Sequence, residues 1–301
     1  MKRGIKMKID LHIHTKMSDG ELTPKEVIDK AIENKVKVIS IADHDTIEAY
    51  TEEFIQYAEN KGIKLIKGVE ISTKINKCGI HVLGYNIDVE NEKFKESLYK
   101  IRNARHEYLY KVSEKLEKLG YYINTEELDK IDAVTKAHIA LDIIKSSKNE
   151  QKFLDEFGHI PGKGEFIETV MNENCPAYVK KETVTPQKAA EIIRQANGKV
   201  ILAHPVAYEH EDGLNEEDIL KIVKDMNPDG IESNYIYIDK DNNEFDECEK
   251  WNRFAKNNNL FVTVGTDFHN SDGIRPEIGF VNKRIELTED EIDEIIENLE
   301  K

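Results

Sequence analysis

The chain has 301 residues, enough for one large or two ordinary domains with an ample core. Apolar residues make up 39% and charged residues 34%, and 59 Asp and Glu against 43 Lys and Arg give a formal net charge of -16, which argues against a dedicated non-specific DNA binder. No apolar run approaches the roughly 18 residues of a membrane span, neither Met1 nor Met7 opens a hydrophobic signal segment, and Cys78, Cys175 and Cys248 lack metal-type or disulfide spacing, so a cytoplasmic protein is expected.

Met7-Lys-Ile-Asp-Leu-His12-Ile-His14 alternates with a period of two, which predicts a strand over 7–14 with both imidazoles on one face. Ser18-Asp19-Gly20 then makes a turn able to return a carboxylate to the strand end. Thr23 caps the helix that follows, with Pro24 at its first position, Glu26 completing a capping box and a periodic run to Asn34. The apolar stretch 38–42 predicts a second strand that stops abruptly in Asp43-His44-Asp45, and a helix is expected over 46–60. A third strand over 64–70 finishes in Glu70, a carboxylate able to bridge two ions. His81 opens the strand at 80–85; its place near a strand start means either that this strand runs the other way or that the local geometry is irregular.

From about 92 to 179 amphipathic helical runs dominate (94–119, 125–131 and 134–144). This predicts a helical insertion over 92–179, a substrate cap, between a first barrel part at 7–91 and a second at 180–301. It carries Arg102, Arg105, Lys111, Lys115, Lys136 and His138, with Lys180 and Lys181 directly after it. Arg102, Arg105 and His106 share a helix face, which either faces the metals or is a solvated surface paired with Glu107 and Glu114.

Beyond the insertion, Thr185-Pro186 starts a helix closed by Gly198, and a strand over 200–204 ends in His204. Helices follow at 215–226 and 244–258, with a strand near 230–233. The strand 261–266 leads into Asp267-Phe-His269, which repeats the same-face geometry of the first strand, and Thr288 to Glu291 caps the last helix. Alternating strands and helices predict an α/β fold. About seven strands with chemistry-bearing residues at or near most of their C-terminal ends predict a β/α barrel.

His12, His14, Asp19, His44, Glu70, His81, His204, Asp267 and His269 thus fall at the ends of short apolar runs. Taken singly, His81 or His204 is an ordinary core or surface residue; placed jointly, these groups point to a multinuclear metal centre. Imidazole with carboxylate suits zinc, manganese or iron better than calcium, which takes oxygen.

The motifs that carry this pattern resemble those of the PHP (polymerase and histidinol phosphatase) superfamily: Asp10-Leu-His12-Ile-His14-Thr with Ser18-Asp19-Gly20, Ala42-Asp43-His44-Asp45, Gly68-Val-Glu70-Ile-Ser, His81-Val-Leu-Gly, Ala203-His204-Pro205 and Gly265-Thr-Asp267-Phe-His269. With the helical insertion and Cys175-Pro-Ala-Tyr178 ahead of Thr185-Pro186, the chain looks like the stand-alone branch, which contains nucleoside 3',5'-bisphosphate phosphatases and 5'-3' exoribonucleases. The resemblance implies a distorted seven-stranded β/α barrel and two or three divalent ions, usually Mn, Zn or Fe. By matching motif, His12, His14, Glu70 and Asp267 would hold one ion, Glu70, His81 and His204 a second, and Asp19, His44 and His269 a third. The chain departs from the pattern after the Ala-His-Pro motif, where similar proteins often carry Gly-Arg and this one has Val206-Ala-Tyr208.

The implied chemistry is phosphate ester hydrolysis, whose accelerations reach about 10²¹, on nucleotides or short 5'-phosphorylated RNA, with no membrane and no stable DNA complex. A water bridging two ions, its pKa lowered from about 15.7 towards about 7, would be the nucleophile. Asp43 and Asp45 either orient ligand imidazoles or build a turn. Arg102, Arg105 and Lys136 would hold a second phosphate or the nucleotide backbone, with His138 and Tyr178 as further substrate contacts. A histidinol phosphatase is the alternative, disfavoured by the insertion and by Asp19, where that branch often places His.

Overall fold

The computed structural model describes residues 8–131, 134–180, 183–280 and 287–301, the side chain of Arg105 excepted. Met1, Met7, Lys181 and the Arg105 side chain therefore lie outside the described residues. The chain divides into two compact units, Met1–Tyr99 with Val184–Lys301, and Lys100–Thr183.

In chain order the first unit begins with β1 (Lys8–Ile13), α1 (Pro24–Glu33), β2 (Val36–Ile41), α2 (Glu52–Asn60), β3 (Lys64–Leu65), β4 (Gly68–Ile75) and β5 (Cys78–Tyr85). Helix α3 (Glu92–Lys118) contains the boundary between the units. The second unit continues with α4 (Thr125–Leu128), α5 (Lys136–Lys145), α6 (Glu150–Phe157) and α7 (Lys163–Phe166). The first unit resumes with α8 (Pro186–Gln195), β6 (Lys199–Leu202), α9 (Pro205–Asp212), α10 (Glu216–Met226) and β7 (Gly230–Asn234). It ends with β8 (Ile236–Ile238), β9 (Glu244–Asp246), α11 (Cys248–Asn257), β10 (Phe261–Val264) and α12 (Glu289–Glu300).

Local chemistry sets these boundaries. The box at α1 forms as read from the sequence: Thr23 Oγ1 accepts from Glu26 N at 3.3 Å, and Glu26 Oε2 accepts from Thr23 N at 2.7 Å. Helix α2 starts at Glu52, later than the expected 46, because Asp45 turns the chain with φ 54 and Thr51 supplies the cap, its Oγ1 accepting from Phe54 N at 3.2 Å. The helix expected over 244–258 starts at Cys248, since 244–246 pair with β8 instead. Helix α9, unanticipated, begins directly after His204 on Pro205, whose ring presets helical φ.

The strands form a parallel three-stranded sheet ordered β1-β2-β3 and a five-stranded sheet ordered β10-β7-β6-β5-β4, with β8-β9 as a separate hairpin. Strand β5 runs antiparallel to both β4 and β6. That reversal explains why His81 sits towards a strand start; Glu70, expected to finish a strand over 64–70, lies instead near the start of β4, because the chain leaves β2 after β3 and pairs with β5 from Gly68 onward. Two single parallel pairs, Ile13 with Phe268 and His44 with Glu70, bring the two sheets together at the ends that bear these residues. Behind them Leu11, Val38, Leu83, Ile201, Val264 and Ile292 share one buried apolar cluster. Both faces of β1 are consequently covered, Ile9 and Leu11 by this core and His12 and His14 by the donor cluster.

Among the described residues the second unit is helical, with a core of Leu109, Val112, Leu116, Tyr121, Phe153 and Phe166. Tyr121 meets Phe166 edge-to-face with centroids 5.2 Å apart. No helix of the described residues is long and apolar enough to cross a membrane.

Candidate metal centre

Glu70 is the hub of the site. Its Oε2 lies 3.3 Å from His12 Nε2, 3.3 Å from His14 Nε2 and 3.1 Å from His44 Nδ1. Its Oε1 lies 3.1 Å from His81 Nδ1 and 3.2 Å from His204 Nε2. Asp267 Oδ1 closes the cluster on one side, 3.1 Å from His14 Nε2 and 3.4 Å from His12 Nε2. Asp19 closes it on the other, 3.5 Å from His14 Nδ1, 3.7 Å from His44 Nε2 and 3.4 Å from His269 Nε2. All nine donors singled out in the sequence are therefore gathered in one place.

Donor atoms lie within 4.8 Å of one another in three groups: His12, His14, Glu70 and Asp267; His44, Glu70 and His81; and His14, Asp19, His44 and His269. The groups share His14, His44 and Glu70, so they are contiguous. The allotment implied by resemblance differs at three points: His44 also meets Glu70 and His81, His14 also meets the Asp19 group, and His204, though 3.2 Å from Glu70 Oε1, joins none of the three groups. His12 Nε2 and His14 Nε2 face each other at 3.1 Å, and the buried Glu70 Oε2 has no hydrogen-bond partner among the described residues. Nitrogen–oxygen separations of 3.1 to 3.4 Å around Glu70 and Asp267 match the edges, about 2.9 to 3.5 Å, of a coordination polyhedron with bonds of about 2.0 to 2.1 Å. The residues fit divalent cations.

The charges are mutually set. Burial opposes charge on His12, but Glu232, Glu70 and Asp267 outweigh it and hold the imidazole well above its ordinary pKa. Burial likewise opposes charge on His14, and Asp267 and Glu70 still raise it to about 10. Burial pushes His44 down to about 3, helped by the neighbouring His14 and His81 against the pull of Glu70. Glu70 and Asp267 are held well below the carboxylate range, the surrounding imidazoles overcoming the cost of burial.

Asp43 and Asp45 have distinct roles in the backbone. Asp43 Oδ1 accepts from Thr15 N at 2.7 Å and Ser18 Oγ at 2.6 Å, and its Oδ2 from Thr15 Oγ1 at 2.7 Å. These bonds tie Asp43 to the turn that carries Asp19. Asp45 accepts from Ser72 N at 2.9 Å, and its own N–H donates to Glu70 O at 2.8 Å, which holds the backbone of β4 on either side of Ile71.

The expected substrate contacts belong to the other unit. Lys136 Nζ donates to Asn172 Oδ1 at 3.0 Å and lies 5.9 Å from the centroid of the Tyr178 ring. His138 Nδ1 accepts from Thr135 N at 3.3 Å and so helps cap α5. Arg102 lies on α3 and is half-buried.

Four further buried residues hold the donors in place. Glu232, fully buried on β7, has both carboxylate oxygens 3.1 Å from His12 Nδ1, and Oε2 accepts from His204 N at 3.0 Å. Asp10 accepts from Thr266 N at 3.1 Å, Thr266 Oγ1 at 2.6 Å and Gly279 N at 2.9 Å, tying β1 to the Asp267 loop; burial lifts its pKa to about 6 against these bonds. Tyr208 Oη accepts from His81 N at 2.8 Å, so the Val206-Ala-Tyr208 stretch, found where similar proteins often carry Gly-Arg, positions a donor. Tyr235 Oη lies 3.5 Å from Asp267 Oδ2, and its ring is 5.3 Å from that of His204.

Comparison with known proteins agrees with this geometry. The chain is 32% identical over 268 residues to a 5'-3' exoribonuclease of Haemophilus influenzae, covering 87% of this chain and 90% of that one. It is 26% identical over 265 residues to a 3',5'-nucleoside bisphosphate phosphatase of Chromobacterium violaceum, covering 87% of each. A solved structure of an amidohydrolase from Chromobacterium violaceum superposes with a TM-score of 0.61 at 25% identity, covering 90% of both chains. The PHP domain profile matches residues 10–200, and the chain belongs to the PHP domain family.

Proposed function

We propose that the protein is a metal-dependent phosphoesterase that hydrolyses nucleoside 3',5'-bisphosphates or short 5'-phosphorylated RNA. The observation that carries this reading is the convergence of five imidazole nitrogens within 3.1 to 3.3 Å of the two oxygens of Glu70. The names of the Haemophilus and Chromobacterium relatives supply the substrate class.

In this reading His12, His14, Glu70 and Asp267 hold one ion, His81 and His204 join Glu70 at a second, and Asp19, His44 and His269 take a third. Bound zinc, manganese or iron would lower the pKa of a water towards about 7 and neutralise phosphate oxygens. The chain's own contribution is orientation. His12, His14 and Glu70 are at most 1% exposed, whereas Asp19 is 48% and His81 31% exposed, so substrate enters on the side of the latter pair. The buried donors, held by Glu232, Asp10 and Tyr208, keep the site from relaxing as charge develops on the phosphate.

Counting the short β3 and the following β4 as one interrupted strand, we read the two sheets and their bridging pairs at Ile13 and His44 as a distorted seven-stranded barrel. Arg102, Arg105, Lys136, His138 and Tyr178 are proposed substrate contacts on the strength of their charge and hydrogen-bonding chemistry. The test is elemental analysis of the purified protein alongside phosphate release from adenosine 3',5'-bisphosphate, 5'-phosphorylated short RNA and histidinol phosphate. Turnover of either of the first two is expected; preference for histidinol phosphate overturns the assignment.

A further inference from the structure

A small cavity of about 120 Å³ lies beside the donor cluster, with Thr266 and Asp267 on one side, Tyr235 and Tyr237 from the β7–β8 segment on another, and Arg275 on a third. Its volume corresponds to about four waters at roughly 30 Å³ each. That is too small for a nucleoside, which needs a pocket nearer the usual 300 Å³ or more, and suits one tetrahedral group. Among the described residues Arg275 is the only cation lining it.

The cavity wall is built rather than incidental. Asp272 Oδ1 accepts from Ile274 N at 2.8 Å and Arg275 N at 2.9 Å, which fixes the turn that presents Arg275. Farther along the same loop, Gly279 N donates to Asp10, so the loop is anchored to β1 beyond Arg275 and begins at His269 before it. The Arg275 side chain is 55% exposed, and its contact with Asp272, 4.0 Å from Nε, is at the outer limit of an ion pair. Its planar fork therefore has donors to offer. The carboxylate of Glu211, also at the cavity, already accepts from Tyr237 Oη at 2.9 Å. Tyr235 Oη, 3.5 Å from Asp267 Oδ2, adds a neutral hydroxyl at the boundary between cavity and cluster.

We infer that Arg275 and Tyr235 form a subsite for the phosphate that is not cleaved, a group one ribose away from the reacting phosphate. This rests on the phosphoesterase reading above and narrows it: Arg275 is a specificity-determining residue for substrates with two phosphates. Nucleoside 3',5'-bisphosphates and 5'-phosphorylated RNA share that chemistry.

The experiment compares metal-loaded wild type with Arg275→Ala, Arg275→Lys and Tyr235→Phe on adenosine 3',5'-bisphosphate, a 5'-phosphorylated dinucleotide and p-nitrophenyl phosphate. Arg275→Ala is expected to lower the ratio of kcat/KM for a two-phosphate substrate to that for p-nitrophenyl phosphate roughly tenfold or more, the size of one charge-assisted hydrogen bond. The loss should appear in KM, and Arg275→Lys should recover part of it. Loss with the mononucleotide alone, or with the dinucleotide alone, identifies which substrate uses the subsite. Calorimetric binding of AMP against adenosine gives a readout independent of turnover: wild type should prefer AMP, and Arg275→Ala should erase the preference. An unchanged ratio, or equal losses on all substrates with the AMP preference intact, overturns the subsite. Wild-type failure to cleave any two-phosphate substrate instead overturns the phosphoesterase reading, and the AMP measurement still decides the subsite.

Discussion

Glu232 holds His12 Nδ1 at 3.1 Å from both carboxylate oxygens, leaving His12 Nε2 directed at Glu70 and Asp267. The same carboxylate takes the main-chain N–H of His204, so one buried group orients donors from β1 and from the residue after β6. Partners of this kind fix the imidazole tautomer, and removing them typically weakens metal binding about 10- to 100-fold. Glu232→Ala is expected to show a loss of that size in competition with a chelator, and Glu232→Gln, which keeps an acceptor oxygen without the charge, a smaller one. Equal affinities for Glu232→Ala and wild type would remove Glu232 from this role.

Gly265 makes room for that contact. A Cβ at this position would lie 2.3 Å from Glu232 Oε1 and 2.3 Å from His12 Cβ. Gly265→Ala must therefore separate β1 from β10 or displace Glu232, a strain costing about 1 to 3 kcal/mol. Urea unfolding should reveal the lost stability, and metal content should fall with it. A variant with wild-type stability and full metal would show that the strands yield without cost.

Asp43 offers a separate test of the turn. Its three short hydrogen bonds hold residues 15–18 just ahead of Asp19. Asp43→Ala leaves the Thr15 N–H without its partner, and a buried unsatisfied donor costs about 1 to 3 kcal/mol. Stability measured by thermal unfolding should drop by that order, and ion occupancy should fall most in the group that contains Asp19. If Asp43→Ala bound metal normally but lost turnover, Asp43 would belong to the chemistry rather than to the turn.

The donors were legible because each is written locally. A period of two puts His12 and His14 on one face, and Asp267 with His269 repeats the spacing, whatever the rest of the chain does. Glu232 was not legible, for it sits inside Gly-Ile-Glu-Ser-Asn, an ordinary-looking strand, and its partner His12 is 220 residues away. The direction of β5 was legible only as one of two alternatives for His81, a reversed strand or irregular geometry, since periodicity is blind to direction. A signal was present: Asn76 and Lys77 alone separate the paired Ile75 and Cys78, and Asn76 takes φ 55, as a two-residue hairpin loop requires. Strands β8 and β9, three residues each, are too short to carry a period.

The raised imidazoles set the pH dependence of metal uptake. His14 titrates at about 10 in the metal-free cluster against an ordinary 6.5, so near neutrality it carries a proton that an incoming cation must displace. His44, pushed down to about 3, is already neutral and releases none. Metal binding should therefore liberate protons, and apparent affinity should climb with pH between about 6.5 and 10. For the metal-free fold the signs run oppositely for the two kinds of group. The stability that His14 contributes is full below about 6.5 and is lost as pH rises through about 10. That contributed by Glu70 and Asp267, whose pKa values are depressed, is present above the ordinary 4.5 and 3.8 and is lost on acidification. Metal-free protein should accordingly lose stability on the alkaline side where metal-loaded protein does not, which thermal unfolding across pH 6 to 10 can resolve. Calorimetric titration with zinc in buffers of different ionisation enthalpy measures the proton count directly. Heats that do not vary with the buffer would mean that His12 and His14 are neutral before the metal arrives.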